Sequence, residues 1–415
     1  MANLKTLTSI LILLLLTSFL SGCWDRRELE EQAFILTMGV DKGTIPSSFL
    51  WTFQIAVPRQ LAGGQTGGGG GGGAQKPSAI ISVEATTLFG ALNLINSFLD
   101  RKPNLMHAKA IVISEDLARE DPVPLRAFVR YREVRRNLFV LVAEGKAKEI
   151  ISTYKPVLEQ NPAKFIETLV LNSSYTGLMP KTQLHDYLTH MESRAIEATA
   201  ILVGKSGGLN QPKELNPKLA DPFLPGEIPR EGGSPIEIIG TAIFKGGKMV
   251  GKLEGSENRV MAMLTGNFGR GFWAFPDPMA PGKNLALDIR SGAPPVMKME
   301  FKKGRPVINV HLSLEAEILA IQSNIDYTRL DMLNKLELYT ERFTVDYITK
   351  VIKKTQGMGT DIFGFGNKAR HLVDTWPQWE KLNWEELYPK AEIKVTVAMS
   401  IRRIGLQFQP ANPAY

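Results

Sequence analysis

The longest regular pattern in the chain is a period-two alternation towards its C-terminal end. From Pro306 to Ile318, Ile308, Val310, Leu312, Leu314, Ala316 and Ile318 point one way, and Asn309, His311, Ser313, Glu315 and Glu317 the other. Successive side chains of a strand lie on opposite faces, so this is a strand with one buried and one wet face. Ile393, Val395, Val397, Met399 and Ile401 repeat the pattern in a closing strand. Between the two, Met332, Leu336, Tyr339, Phe343, Tyr347 and Val351 recur at three- and four-residue steps. That spacing predicts a helix from about Asp331 to Gln356, ended by Gly357.

Shorter runs precede this block. Ala33–Val40, Phe49–Val57, Ile80–Ala85, Ala108–Ser114, Leu138–Ala143 and Ile196–Val203 read as strands. Leu88, Ala91, Leu92, Ile95, Phe98 and Leu99 form the apolar stripe of a helix capped by Thr86 or Thr87. A second helix near Val123–Arg132 is rich in arginine (Arg126, Arg130, Arg132), with Arg135 and Arg136 just beyond it. Lys146–Met191 reads mostly helical, broken at Pro156, Pro162 and Pro180. Thr241–Phe244 and Met249–Leu253 flank a hairpin turn, and Ser256 is placed to cap a short helix through Leu264. Leu285–Arg290 and Val296–Phe301 are further strands.

The expected fold is α+β and multidomain: mixed β-sheets with packed helices, and a C-terminal antiparallel sheet covered by the long helix. The expected divisions are a leader at 1–22, an N-terminal α/β region at 23–204, a Gly/Pro-rich linker or excursion at 205–235, a C-terminal α+β domain at 236–405, and a tail at 406–415. A run of seven glycines, Gly67–Gly73, lacks the Lys-Ser or Lys-Thr of a phosphate loop and reads as a flexible hairpin loop.

The amino terminus adds topology. Lys5, an apolar run from Leu7 to Leu20, and small Ser21 and Gly22 before Cys23 form a secretory signal peptide with a lipobox at its end. Cleavage between Gly22 and Cys23 makes Cys23 the first mature residue, its thiol carrying a diacylglycerol. Ordinary secretion with a chance cysteine is the plainer alternative. An uncleaved anchor is the other, but an apolar run of about fourteen residues falls short of the roughly twenty that span a bilayer. Lipidation places everything after Cys23 outside the cytoplasm, held to a membrane by two acyl chains.

Composition agrees with a globular, exported body. The chain has 415 residues, 44% of them hydrophobic, enough for two or three cores. Cys23 is the sole cysteine, so no intramolecular disulfide is available and packing carries the stability. The formal charge of +7 becomes +6 once Lys5 leaves with the leader; this excess is a solvated basic surface or an attraction to anionic lipid. The topology puts nucleic acid out of reach.

No reactive constellation is visible. His185 and His190 are five residues apart, poor spacing for one helix face, and no Cys is left to complete a zinc site. No Gly-x-Ser-x-Gly elbow occurs. Gly364-Phe365-Gly366-Asn367-Lys368-Ala369 mimics a dinucleotide fingerprint but follows a helix where that fingerprint needs a strand. The expectation is therefore no catalytic residue, no metal, and no cofactor beyond the lipid on Cys23. Phe363, Phe365, Trp376, Trp379 and Trp384 are the candidate interface, since large aromatics anchor protein contacts; the alternative is a core beneath the long helix.

Three stretches together resemble one family. Asp361-Ile362-Phe363-Gly364-Phe365-Gly366 is followed by Trp376-Pro377, Trp379, Trp384-Glu385-Glu386-Leu387-Tyr388-Pro389 and Ile401-Arg402-Arg403-Ile404-Gly405. The front end runs Gly22-Cys23-Trp24-Asp25-Arg26-Arg27-Glu28-Leu29, then Ala33 through Gly39-Val40-Asp41. Internally, His107-Ala108-Lys109-Ala110-Ile111-Val112-Ile113-Ser114-Glu115 matches a family strand. The arrangement, nearly the whole chain in order, resembles the Ger(x)C family of spore germination lipoproteins, the C subunits of GerA-type germinant receptors. The resemblance implies a mixed α and β fold in three domains. It also implies a lipoprotein on the outer face of the inner spore membrane, acting with an A subunit and a membrane-spanning B subunit in nutrient-triggered germination. A lipid-anchored extracytoplasmic solute-binding protein is the alternative function; it calls for two similar lobes, and the two halves differ in pattern.

Overall fold

The computed structural model describes residues 4, 6–12, 28–57, 77–159, 161–209 and 222–405. Gly22, Cys23, the glycine run and the 406–415 tail lie outside that set.

Two sheets organise the chain. The first has nine strands: β1 (Gln32–Lys42), β2 (Phe49–Ala56), β3 (Ser78–Ala85), β4 (Lys102–Asn104), β5 (Ala110–Ser114), β6 (Phe139–Ala143), β7 (Thr199–Lys205), β8 (Ile236–Lys245) and β9 (Lys248–Leu253). Their order is β3-β2-β1-β5-β6-β7-β8-β9, with β4 beside the start of β1. β1, β4, β5, β6 and β7 run parallel, and antiparallel hairpins extend the sheet at both sides. The central strands are apolar on both faces (Ala110–Ser114 and Phe139–Ala143 are buried throughout), as a sheet covered on two sides requires. One face packs on α1 (Leu88–Ile95), where Thr87 accepts the Gly90 N–H as the N-cap. The other packs on α3 (Ala147–Thr153) and α4 (Pro162–Leu171). Between these, α2 (Glu115–Glu120) follows β5, and the arginine-rich helix expected near Val123–Arg132 is a 3₁₀ segment, Val123–Val129. α5 (Leu184–Met191) precedes β7.

The expected boundary at 236 does not separate the sheets. Ile236–Leu253 returns to β7, pairing Thr199 with Ile243, and completes the first sheet. Nor are residues 222–235 a plain spacer. Phe223 is buried, and Arg230 Nε holds the buried carboxylate of Glu237 at 2.8 Å.

α6 (Gly255–Thr265) leads from the first sheet to the second and is buried from Gly255 to Leu264. Its polar side chains are consequently spoken for. Asn258 donates to the Gly177 carbonyl and accepts from Thr241, and Arg259 Nε donates to the Thr176 carbonyl. Ser256 shares a hydrogen bond with the Tyr347 hydroxyl, so it does not cap this helix as expected; Glu254 does, in a reciprocal box with Glu257.

The second sheet has four strands in the order β10 (Arg270–Pro276), β11 (Asn284–Lys302), β12 (Arg305–Ile321) and β13 (Glu392–Arg403). The segments expected at Leu285–Arg290 and Val296–Phe301 are one bulged strand, β11. The period-two reading of β12 and β13 holds, and α7 (Leu330–Met358) lies over their apolar face. The sheet is not wholly antiparallel, because β13 pairs parallel to β12. The physical reason is the crossover: a strand delivered by a long helix returns in the direction of the strand that left. α7 ends at Gly359 in the left-handed region (φ 65°), two residues beyond the Gly357 expected.

Candidate functional site

The aromatic block after α7 is built around one carboxylate. Asp361 is buried, and its Oδ1 accepts the backbone N–H groups of Phe363, Gly364 and Phe365 at 3.1, 3.0 and 3.2 Å. Its Oδ2 accepts the Gly366 N–H at 2.7 Å and the Trp384 indole N–H at 2.9 Å. These amides open α8 (Phe365–Arg370), so a single side chain answers the orphan donors of a helix start. Burial pushes the Asp361 carboxyl up to about 6, against the downward pull of these donors.

This geometry corrects the expected interface. Phe363, Phe365, Trp379 and Trp384 are buried in the core beneath α7, not displayed. Phe365 stacks on Tyr388, whose hydroxyl shares a hydrogen bond with Thr355. The indole of Trp384 needs an acceptor once buried, and Asp361 supplies it. Of the five aromatics, Trp376 alone is on the surface, 56% exposed at the start of α9 (Trp376–Leu382), with the Arg370 guanidinium 5.3 Å from its ring centre.

The block also clasps the two halves together. The Glu197 N–H donates to the Asp361 carbonyl at 2.8 Å, just before β7 of the first sheet. A Cβ on Gly366 would sit 2.3 Å from the Ala195 carbonyl oxygen and 2.6 Å from the Trp384 ring, so only glycine allows this approach. Trp384 opens the short α10 (Trp384–Leu387) and is thereby aimed back at Asp361.

Beside the clasp, a cleft of about 800 Å³ opens between the halves. Lys181, His190 and Glu197 line it from the first half, and Met261, Met297 and Lys368 from the second. The Glu197 carboxyl is pushed up to about 7, first by burial and then by the Glu385 and Asp361 carboxylates, against the pull of Lys245. Burial depresses His190. Among the described residues, no group of three His, Cys, Asp or Glu side chains is placed to hold a metal, and no hydroxyl in the cleft is hydrogen-bonded to His190 or Glu197. Perturbed carboxyls mark sites of interest. The sequence by itself marks Asp361 without a role and passes over Glu197, Asn258 and Arg259. A glutamate next to a strand start, and polar residues within an otherwise apolar helix, are the signals it offers.

Comparison with known proteins agrees with this two-part body. Residues 25–204 match the spore germination protein N-terminal domain, and residues 239–405 match the family model described as spore germination B3/GerAC like, C-terminal. The chain belongs to the Ger(x)C family of spore germination proteins. The second family model begins inside β8, so the Ger(x)C modules divide the chain by sequence at a point where the first sheet is still being completed. The chain is 25% identical over 409 residues to the putative spore germination protein YfkR of Bacillus subtilis (strain 168), covering 98% of each. It is 26% identical over 424 residues to spore germination protein KC of the same organism, covering 98% of this chain and 97% of that one. Its fold is that of the GerBC protein, whose crystal structure overlays with a TM-score of 0.53 at 16% identity, covering 88% of this chain and 96% of that one.

Proposed function

We propose that this Ger(x)C chain is the lipid-anchored C subunit of a germinant receptor, required for nutrient-triggered germination and acting by protein–protein contact. The observation that carries the proposal is the end-to-end match to spore germination proteins, in which both family modules occur in order behind a lipobox. Diacylglycerol on Cys23 holds the body on the outer face of the inner spore membrane, beside the A subunit and the membrane-spanning B subunit. Confinement to that surface raises its effective concentration near them. No helix among the described residues is long and apolar enough to cross a membrane. The role is non-catalytic.

The cleft gives the solute-binding alternative one physical argument, since a concave site with a few convergent polar groups is what a small ligand needs. Against it, a nine-stranded and a four-stranded sheet do not form the similar lobes of a closing clamp. A gene deletion restored with wild type or with Cys23→Ala separates the two. The receptor role predicts that wild type restores nutrient-triggered germination, that Cys23→Ala does not, and that growth and solute uptake stay normal throughout. Normal germination of the deletion strain, with impaired uptake, would overturn it.

A further inference from the structure

Parallel strands bring several chain segments to one end of the first sheet. Residues 28–31 lead into β1, residues 98–101 into β4, residues 105–109 into β5, and residues 135–138 into β6. Gln32 pairs with Lys102 but Thr37 with Ala110, so the β5 and β6 entries start five residues, roughly 16 Å, further along β1, and the four entries form a stepped surface joined where the His107 ring packs 4.8 Å from that of Phe34. Three large apolar side chains stand out on it: Leu29 is 74% exposed, Phe98 59% and Met106 44%. Around them Lys102, Arg135 and Arg136 are exposed and Arg101 half-buried, and none of the four has an ion-pair partner among the described residues. Glu28, Glu30, Glu31 and Asp100 share this end, so the local charge is mixed. Near Met106, the cationic fields of Arg135 and Lys109 help depress His107, after its burial.

The tether decides what this surface meets. Five residue steps separate Cys23 from Glu28, the first residue of the described body. Fully extended they span at most about 18 Å. β1 has eleven residues and carries the chain roughly 35 Å away, to the loop at Ile45. The entry end is therefore held within reach of the headgroups while the far end stands off.

Resting on the lipid-anchor reading above, we propose that the β-strand entry end of the first sheet is a membrane-contact surface. Leu29, Phe98 and Met106 dip into the headgroup boundary, and Arg101, Lys102, Arg135 and Arg136 pair with lipid phosphates. Exposed apolar side chains flanked by Lys and Arg are the composition that binds at this depth, and the four carboxylates beside them leave the apolar contacts and the tether to carry the binding. The body then stands with a defined end down, and the loops beyond the C-terminal ends of β5 and β6 point away from the bilayer.

Lipidation of Cys23 leaves the wild-type chain without a free thiol, so single cysteines can report position. The full lipidated chain carrying Met106→Cys or Arg136→Cys (entry end), or Ile45→Cys or Lys148→Cys (far end), is labelled with a fluorophore. It is then reconstituted into vesicles of phosphatidylglycerol and phosphatidylcholine containing a nitroxide lipid. The expected result is at least twofold stronger quenching at 106 and 136 than at 45 and 148. Combined Leu29→Gln and Phe98→Gln should remove most of that difference while flotation with the vesicles persists. Equal quenching at both ends, in chains that float, overturns the surface and leaves the lipid anchor standing. Failure to float overturns both. An unquenched residue 106 that is nonetheless shielded from water-soluble thiol reagents in native spore membranes assigns this end to a protein partner instead, and also overturns the proposal.

Discussion

Removing the Asp361 carboxylate is the sharpest perturbation the fold offers. Asp361→Ala takes the acceptor from four backbone N–H groups and the Trp384 indole, which now sit at 2.7–3.2 Å from it. A buried donor left unpaired costs about 1–3 kcal/mol. Water from the cleft reaches part of the site, since Phe363 and Gly364 line it, so the lower part of that range applies. Five donors at about 1–1.5 kcal/mol give a loss of about 5–7 kcal/mol. Against this stands the relief of burying a charge, which the rise of the carboxyl from 3.8 to about 6 understates because these same donors already pull it down. That relief is therefore at least about 3 kcal/mol near neutral pH, and the net destabilisation is at most about 2–4 kcal/mol. Because the two sheets need not unfold together, the assay should be local. Amide exchange of Phe363–Gly366 should accelerate by at most roughly 30- to 700-fold, with smaller changes at β5 and β6. Trp384→Phe alone should cost about 1–2 kcal/mol, and the double variant should fall short of the sum, because both changes delete one shared bond. Exchange within about threefold of wild type in Asp361→Ala, or strict additivity, would refute the clasp.

Other consequences are separately measurable. Gly366→Ala drives a methyl against the Ala195 carbonyl and should destabilise by at least about 2 kcal/mol, read as a lowered midpoint of thermal unfolding. Glu197→Gln should stabilise the protein by about 1–2 kcal/mol at pH 8, after discounting for solvent in the cleft, and have almost no effect at pH 4. The sign follows from a folded value raised from 4.5 to about 7: stability from this group is fully present below about 4.5 and is lost as pH rises from there through about 7. Urea titrations of both forms at the two pH values check it. Tyr347→Phe leaves the buried Ser256 hydroxyl without its partner and should lower stability by about 1 kcal/mol, seen as a reduced urea midpoint at unchanged slope.

Local periodicity made the strands and the long helix legible. The alternation of Ile308 through Ile318 and the stripe from Met332 to Val351 gave faces that the packing reproduces, because burial on one side is a local demand. Pairing direction was not legible in the same way. Whether β13 runs with or against β12 depends on how α7 carries the chain across, and that is a property of the connection. Ile236–Leu253 looked like the start of a new domain because it follows a Gly/Pro-rich stretch, yet its apolar face finds the open edge of β7. Four of the five aromatics misled for a related reason. Their composition suits an interface and a core equally well, and the deciding partner, Asp361, lies 23 residues from Trp384. β10, Arg270–Pro276, was missed since exposed Phe272 is as apolar as buried Trp273 and Phe275, which masks the alternation, and the strand ends in proline. Asn258 and Arg259 were hidden by the same logic in reverse: a helix buried all round gives polar residues no face to mark.

The central claim is a germination protein fastened by its first mature residue beside a membrane-embedded partner. Its most direct test is to extract the native chain from spore membranes in mild detergent, weigh its N-terminal peptide, and identify what remains bound. The prediction is a peptide beginning at Cys23 with a diacylglycerol on its sulfur, recovered together with a multi-spanning receptor subunit. A peptide that begins elsewhere or carries no lipid, from a chain that leaves the membrane without detergent, would contradict it.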